Sequence, residues 1–541
     1  MNTIQKTVTV TAMLLIVCAL NGCNQDGRDK AITDAADLGP TIGSLANVLI
    51  PEPVAVEGYG IVAGLRNTGS AECPPPIRAY LKRYIQKQLA SSGKPGSLDI
   101  DKYINSLDTA VVLIEGVIPA IPSKNQYFDA RVTALQNTQT TSLEGGTLFS
   151  TELKRPGSFG IATDVLADVE GPVFTDKMSS IGANPKVGYV LGGGKVLNEY
   201  RIILALQESD FKVANAIRNR LNGRFGAGTA RAVLADRVEV MVPNYYKSRK
   251  ERFVSMIRTL SLNQDVEATR ERIKTLVNRL TDSQDKEESE IALEAIGNQS
   301  LGYLNAPLAS PDERIRLHAA RCMLNLGSDA GLLALREIAM APSSPNRLEA
   351  LEAIVLGAKR ADATPVARRL VRDDDFKIAL AAYQHLRQLG DIAVTQEFIG
   401  RSFYLEQIAQ TDQKVIYASR NGQPQIVLFG APLECHSSIF IESDNGDITL
   451  NTPAGGDHVT IMRKHPKRTG LVLRLNSSLN LGDIIRTLCA EPSTRRVQDR
   501  KGLGVTYADV IALLKRMCDK GAIDAKFHAG ELPKIDLNIK K

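Results

Sequence analysis

Between residues 264 and 400 the chain drops its strand signals and takes up helical periodicity, while strand signals dominate on either side. This switch constrains the fold most, because a 3.6-residue and a two-residue period bury different faces. Within the stretch, Leu326-Gly327 recurs as Leu356-Gly357 and Leu389-Gly390, and each pair reads as a helix end with a glycine C-cap. Counting back from each glycine, Leu317 and Ala320, then Ala350, then Leu380 and Tyr383 fall in register. Ser310-Pro311 and Ser344-Pro345 read as the starts of two helices, an N-cap with proline in the first turn. A repeat of about 30–34 residues built from paired helices marks an α-solenoid, here HEAT-like, with a concave face for a protein partner.

The flanks read differently. Over residues 41–263 short apolar runs such as Ala110-Val111-Val112-Leu113-Ile114 alternate with helical stretches. Residues 77–89 read as an amphipathic helix entered through Pro74-Pro75-Pro76. A strand over 199–208, a helix over 212–221 and a strand over 237–242 read as a compact βαβ-like unit. From 401 to 541 the pattern is β-rich, with strands at 415–417, 425–429 and 438–441. An Asn445-Gly446 hairpin turn precedes a strand at 447–450, and helices at 481–489 and 506–519 are followed by a last strand near Lys526. The fold class is α+β: a mixed α/β domain interrupted by a helical segment, then a β-rich and helical end. The 541 residues are 43% hydrophobic, enough to bury more than one core, which excludes disorder. No run approaches the roughly 18 apolar residues of a membrane span. The balance of 66 basic and 60 acidic residues is too mild to imply nucleic-acid binding.

The N-terminus sets the compartment. Lys6 precedes an apolar core over residues 8–20, and Leu20-Asn21-Gly22-Cys23 resembles a bacterial lipobox. Residues 1–22 are thus expected to be a lipoprotein signal peptide, Cys23 the lipidated residue, and 23–40 a polar linker. An ordinary signal peptide with a chance cysteine is the alternative. Asn24, rather than aspartate, follows the cysteine, which implies the outer membrane. Beyond Cys18 and Cys23 remain Cys73, Cys322, Cys435, Cys489 and Cys518. An odd number leaves at least one thiol unpaired, and no C-x-x-C occurs. Cys322 reads as a buried free thiol on an apolar helix face.

No catalytic, cofactor-binding or metal-ligating set emerges. Gly192-Gly193-Gly194-Lys195 lacks the leading glycine of a phosphate loop, and Val196 stands where Ser or Thr must hold magnesium; it reads as a turn between strands. His318 and His385 read as helix-surface or groove residues. Cys435 and His436 are expected on opposite faces of a strand. Asp373-Asp374-Asp375 reads as a solvated N-cap cluster. The basic run Arg463-Lys464-His465-Pro466-Lys467-Arg468 reads either as a solvated hairpin tip or as a face for anionic peptidoglycan or lipid headgroups. Gly58, Gly60, Gly64 and Gly69 sit among aliphatic residues, where glycine permits close backbone approach in packed strands or a subunit contact.

Several stretches, in order, resemble one family. Val56-Glu57-Gly58-Tyr59-Gly60-Ile61-Val62-Ala63-Gly64-Leu65-Arg66-Asn67-Thr68-Gly69-Ser70 is similar to the glycine signature of flagellar basal-body P-ring proteins, with Ser70 in place of an acid. Asp108-Thr109-Ala110-Val111-Val112-Leu113, Ser142-Leu143-Glu144-Gly145-Gly146-Thr147-Leu148 and Asp210-Phe211-Lys212-Val213-Ala214 match further segments. Leu481-Gly482-Asp483-Ile484-Ile485 and Asp509-Val510-Ile511-Ala512-Leu513-Leu514 resemble the family's C-terminal end, while residues 413–475 match only loosely. The resemblance implies a P-ring-like domain at 41–263, interrupted by the helical repeats at 264–400 and completed by 401–541. It implies a structural, non-catalytic subunit of a periplasmic ring around the flagellar rod, supporting rotation and motility, with no cofactor and no nucleic acid. Its expected partners are further copies of itself, rod and outer-ring proteins, and peptidoglycan, with the lipid anchor in the outer membrane. Gly58, Tyr59, Gly60, Gly64, Gly69, Gly145 and Gly146 are the expected subunit-contact signature. The alternative is an envelope lipoprotein scaffold of a non-flagellar complex that binds a partner through its helical repeats.

Overall fold

The structure is a computed structural model that describes residues 39–91, 99–158, 164–178, 184–409, 411–466, 468, 470–491 and 502–537. Lys6, the apolar residues 8–20, Cys23 and the linker as far as residue 38 lie outside the described residues. The described residues form two compact units from interleaved stretches, those of 39–50 with 201–363 and those of 51–200 with 364–537.

In chain order, unit one opens with helix α1 (Ile42–Leu45) and strand β1 (Ala46–Leu49). Unit two follows with β2 (Val54–Ala63), α2 (Pro75–Ser91), α3 (Ile100–Ile104), β3 (Thr109–Ile118), β4 (Tyr127–Ala134), β5 (Thr147–Leu153), β6 (Ala167–Pro172) and β7 (Val187–Val196). The chain returns to unit one with β8 (Ile202–Leu206), α4 (Phe211–Phe225), β9 (Ala230–Leu234) and β10 (Arg237–Val240). Helices α5 (Lys250–Thr259), α6 (Val266–Asp282), α7 (Lys286–Ile296), α8 (Asn305–Leu308), α9 (Glu313–Asn325), α10 (Leu332–Met340) and α11 (Arg347–Gly357) complete that unit. Helix α12 (Arg360–Leu370) carries the chain back to α13 (Phe376–Gln388), β11 (Thr395–Ile399), β12 (Phe403–Ile408), β13 (Val415–Ala418) and β14 (Gln425–Phe429). The last elements are β15 (Ile439–Glu442), β16 (Ile448–Thr452), β17 (His458–Lys464), β18 (Val472–Ser478), α14 (Leu481–Cys489), α15 (Tyr507–Asp519) and β19 (Lys526–Ala529). Helices and sheets both contribute throughout, so the chain is α+β.

Unit one holds an antiparallel sheet in the order β1-β8-β10-β9. Ile202, Leu204 and Leu206 of β8 alternate into the core, where Ala214, Ile217 and Leu221 of α4 are fully buried. The expected βαβ unit is corrected: β10 runs antiparallel to β8, and β9, unforeseen, turns back on it as a hairpin. A parallel crossover is therefore absent from this stretch. Gly223 is exposed on α4, with open space where a Cβ would stand. Gly223→Ala is expected to stabilise unit one by about 0.5–1 kcal/mol, since alanine loses less backbone freedom in a helix. A urea titration reads the shift in midpoint.

The helices α6 to α11 pack each on a neighbour, and α9 touches both α7 and α11. Their core includes Ile273, Leu276, Leu280, Leu293, Cys322 and Met323. Gly327 takes φ +84° after α9, and Ser328 N–H reaches the Met323 carbonyl, closing a Schellman end as the repeated Leu-Gly pairs suggest. Gly390 does the same after α13. Gly357 does not: it is the last residue of α11, and a Cβ there would stand 3.0 Å from Leu324 of α9. The helix starts also differ from expectation. Asp312, not Ser310, caps α9 by accepting from the Arg314 and Ile315 N–H groups, and α11 starts after Asn346. Ser344 instead accepts from Asn346 N–H and donates to Glu313. A carboxylate beats a hydroxyl at the cap because it also meets the positive end of the helix.

Unit two contains a closed six-stranded barrel, β2-β3-β4-β7-β6-β5, whose neighbouring strands are all antiparallel. Its core draws on Val112, Ile114, Val132, Leu148 and Val196. A second sheet has the order β11-β12-β14-β13-β19, with β12 parallel to β14 and β13 parallel to β19. A third, β15-β16-β17-β18, is an antiparallel meander. The Asn445-Gly446 turn stands as expected, with Gly446 at φ +66°. β11 lies inside the stretch expected to be helical; four of its five residues are exposed on a sheet edge, so no alternation marks it.

Gly192-Gly193-Gly194-Lys195 is corrected as well. It lies inside β7 rather than turning between strands. A Cβ at Gly193 would stand 2.4 Å from the Glu170 carbonyl oxygen, and one at Gly194 would meet the Phe128 ring at 2.7 Å. Asp129 accepts the Gly192 N–H at 2.6 Å and the Gly422 N–H at 2.9 Å, so that backbone donor serves packing.

Candidate functional site

The glycine signature divides in two. Gly58, Tyr59 and Gly60 lie on β2, where the barrel closes against β5. A Cβ at Gly58 would stand 2.5 Å from the Glu152 carbonyl oxygen, and one at Gly60 would stand 2.4 Å from Thr151 Oγ1. Both absences let β5 approach, so these glycines seal the barrel within one chain. Tyr59 is half-buried, and burial raises its phenol pKa.

Gly64 and Gly69 belong to the turn that follows β2. Arg66 and Asn67 take φ +52° and +68°, a left-handed pair unusual for arginine. Asp108 holds it: its Oδ1 accepts the Arg66 N–H at 2.7 Å, and its carbonyl accepts the Leu65 N–H at 3.0 Å. Thr68 Oγ1 lies 2.8 Å from the Ser142 carbonyl, and Thr141 N–H donates to the Thr68 carbonyl at 2.8 Å. The turn carrying Gly145 and Gly146 is thereby tied to the first. Ser70 is buried and accepts from the Gln139 N–H.

The C-terminal signature reaches the same place. Gly145 lies between the Arg66 guanidinium and the Thr506 methyl group, 4.0 and 3.8 Å from where its Cβ would stand. Thr506 caps α15, accepting the Asp509 N–H. Lys177 sits between Glu144 and Asp509, 2.5 Å from each. Burial opposes the charge on Lys177, but Asp509 and Glu144 outweigh it and raise its pKa above the ordinary 10.5. Lys177→Met is expected to destabilise unit two by about 1–2 kcal/mol by leaving two facing carboxylates without their cation. The wild-type contribution is present below pH 10.5 and fades as pH rises through the higher folded pKa. Denaturant titrations of both proteins at neutral and alkaline pH check the size and the sign.

The basic hairpin completes the site and departs from a simple solvated tip. Arg463, on β17, is only 5% exposed, and its guanidinium donates to the Leu503 carbonyl. Lys464 and Arg468 are exposed. With Arg66, Glu144, Asp447 and Asp509 they line a cleft of about 830 Å³. It offers charge and hydrogen-bond donors, the means of adhesion. Asp108 and Asp509 entered the sequence analysis only as the first residues of family-like segments, with no role of their own, and nothing near Lys177 in the chain marks it.

Other predicted positions are placed as follows. Cys435 is buried and His436 exposed, as expected, but they precede β15 rather than lie on a strand, with Cys435 in an isolated bridge to Ile523. Asp375 caps α13 through the Lys377 N–H. His318 takes the groove place of the two expected for it rather than the surface one: it is 5% exposed at the floor of a cleft lined by Lys286, Arg314, Arg321 and Glu349, with Nδ1 2.6 Å from Glu290. Cys322 is fully buried, burial raises its thiol pKa, and the five described cysteines are all free. Among the described residues no helix is long and apolar enough to cross a membrane.

Comparison with known proteins matches residues 42–281 to the family described as Flagellar P-ring protein. The Flagellar P-ring protein of Hydrogenovibrio crunogenus is 31% identical over 269 residues, 46% of this chain and 67% of the relative. That of Albidiferax ferrireducens is 28% identical over 285 residues, 48% of this chain and 71% of the relative. That of Photorhabdus laumondii is 29% identical over 244 residues, 42% and 62% of the two chains. The matched stretch contains the barrel, its glycine-built seam and the sheet of unit one. This chain belongs to the flagellar P-ring protein family.

Proposed function

We propose that the protein is a structural subunit of the flagellar basal-body P-ring, acting in the periplasm around the rod to support rotation. The observation that carries this is the family match over residues 42–281, which runs through both signature turns and the barrel that holds them. Ring building requires two complementary surfaces on each subunit and no reaction, and we assign none. The seam glycines are filled from within the chain, so the contact itself falls to exposed neighbours. Phe149, on β5 directly after the second signature, is 52% exposed, and Tyr127 on β4 is 65% exposed. Exposed aromatic side chains on a rigid strand suit a protein contact.

Lipid at Cys23 would hold each subunit at the outer membrane before closure. The helices of residues 264–400, read as a HEAT-like insertion, would present a face to a further envelope protein. Rod, outer-ring and peptidoglycan contacts belong to the same reading.

Detergent-extracted full chain is expected to give annular particles in negative-stain electron microscopy. Phe149→Glu is expected to keep the wild-type circular dichroism spectrum and lose the annuli. A wild-type chain that is monomeric at every concentration in light scattering overturns the ring and leaves a scaffold for a non-flagellar complex.

A further inference from the structure

The cleft under the basic hairpin is lined by four carboxylates, Asp108, Glu144, Asp447 and Asp509, and by four cations, Arg66, Arg463, Lys464 and Arg468, but charge is not matched contact by contact. Arg463 is almost wholly buried, and among the described residues the one hydrogen bond of its guanidinium is to a neutral carbonyl, that of Leu503. Burial and the Arg66 guanidinium across the cleft oppose its charge, and Asp509 and Asp447 favour it only from a distance, with no ion pair to either. Guanidinium does not give up its proton in a protein, so burial beside a like charge is relieved only by an anion.

The local carboxylates are already engaged. Glu144 and Asp509 share Lys177. Asp108 accepts the Arg66 N–H, and Asp447 faces Lys464 at 4.0 Å and accepts from Asn445 at 2.9 Å. Among the described residues Arg66, Arg463 and Arg468 form no ion pair. They come from three separate places, the turn after β2, strand β17 and the loop before β18. Together they offer more N–H donors than the two oxygens of one carboxylate can accept, whereas a phosphate accepts from several sides. The rim is apolar: Leu471 and Val472 line the same cleft and are 41% and 53% exposed. Cations beside exposed aliphatic side chains are the chemistry of a membrane interface.

We propose that this cleft binds the phosphate of an anionic phospholipid headgroup through Arg66, Arg463 and Arg468, with Leu471 and Val472 entering the acyl boundary. The cleft volume of about 830 Å³ accommodates a headgroup. This contact is separate from any lipid on Cys23 and from ring closure.

The test is calorimetric titration of the full chain, in non-ionic detergent, with short-chain (dihexanoyl) lipids. Phosphatidylglycerol is expected to bind at least tenfold more tightly than phosphatidylcholine, and the double variant R66Q/R468Q is expected to abolish the difference. Both side chains are exposed, so that variant is expected to melt like wild type. Leu471→Ser with Val472→Ser is expected to weaken phosphatidylglycerol and leave inorganic phosphate unchanged. Equal binding of the two lipids, or an R66Q/R468Q protein that binds as wild type, overturns the site. Inorganic phosphate binding as tightly as phosphatidylglycerol, with no effect of the apolar pair, overturns the lipid as occupant and leaves free phosphate.

Discussion

Glu290→Gln is expected to destabilise unit one by about 3–5 kcal/mol, the range for breaking a buried ion pair by removing one partner. Glu290 on α7 is fully buried and lies at the centre of a charge cluster. Arg321 donates to it at 2.6 and 2.9 Å, Arg252 donates to both Glu290 and Glu294, and His318 lies at 2.6 Å. Burial alone would raise the pKa of Glu290, but Arg252 and Arg321 outweigh it and hold the carboxyl well below its ordinary 4.5. A depressed folded pKa means that the unfolded state binds the proton first. The contribution is therefore complete above pH 4.5 and is lost as pH falls below it toward the folded pKa. Calorimetry across acid pH should show the wild-type unit-one transition falling while that of the variant changes less. A variant melting within about 1 kcal/mol of wild type would mean the cluster is well solvated.

Gly69→Ala is expected to destabilise unit two by about 3 kcal/mol, at the upper end of what overpacking costs. A Cβ at this position would stand 2.0 Å from the Thr109 carbonyl oxygen and 2.7 Å from that of Leu107. Both are backbone atoms, and the chain is pinned there by Gly69 N–H to Leu107 and Ser70 N–H to Thr109, each 2.9 Å. Relief thus breaks hydrogen bonds at the start of β3. Gly60→Ala, although nominally nearly as tight at 2.4 Å, meets the side chains of Thr151, Ile114 and Leu148 rather than backbone, and relief there costs one hydrogen bond, that of Thr151 Oγ1 to the Phe149 carbonyl. Its expected penalty is about 1 kcal/mol. Guanidinium titrations of the two variants test the ranking; equal losses would contradict this explanation of the signature.

Much of the secondary structure is legible locally. The strand at 425–429 and helix at 481–489 match β14 and α14, and Thr506 stands as the cap of α15. These rest on alternation, helical spacing and cap chemistry, each complete within a few residues. The misreadings share a cause. The exposed edge strand β11 has no buried face to alternate with. Glycines in β7 look like a loop because the sequence does not show Phe128 or the Glu170 carbonyl that needs their space. The choice between surface and groove for His318 likewise rests on Glu290, 28 residues away in the chain.

The family and the α+β class were legible in the sequence, because signature and period are properties of neighbouring residues, whereas the run of helices begins at Lys250, ahead of the switch expected at 264. Only tertiary structure decided which distant stretches share a unit, why the seam glycines must be glycine, and that Lys177 reaches Asp509, 332 residues along the chain, while also holding Glu144. Such pairings depend on where the backbone returns in space, and no local pattern of side chains encodes that return.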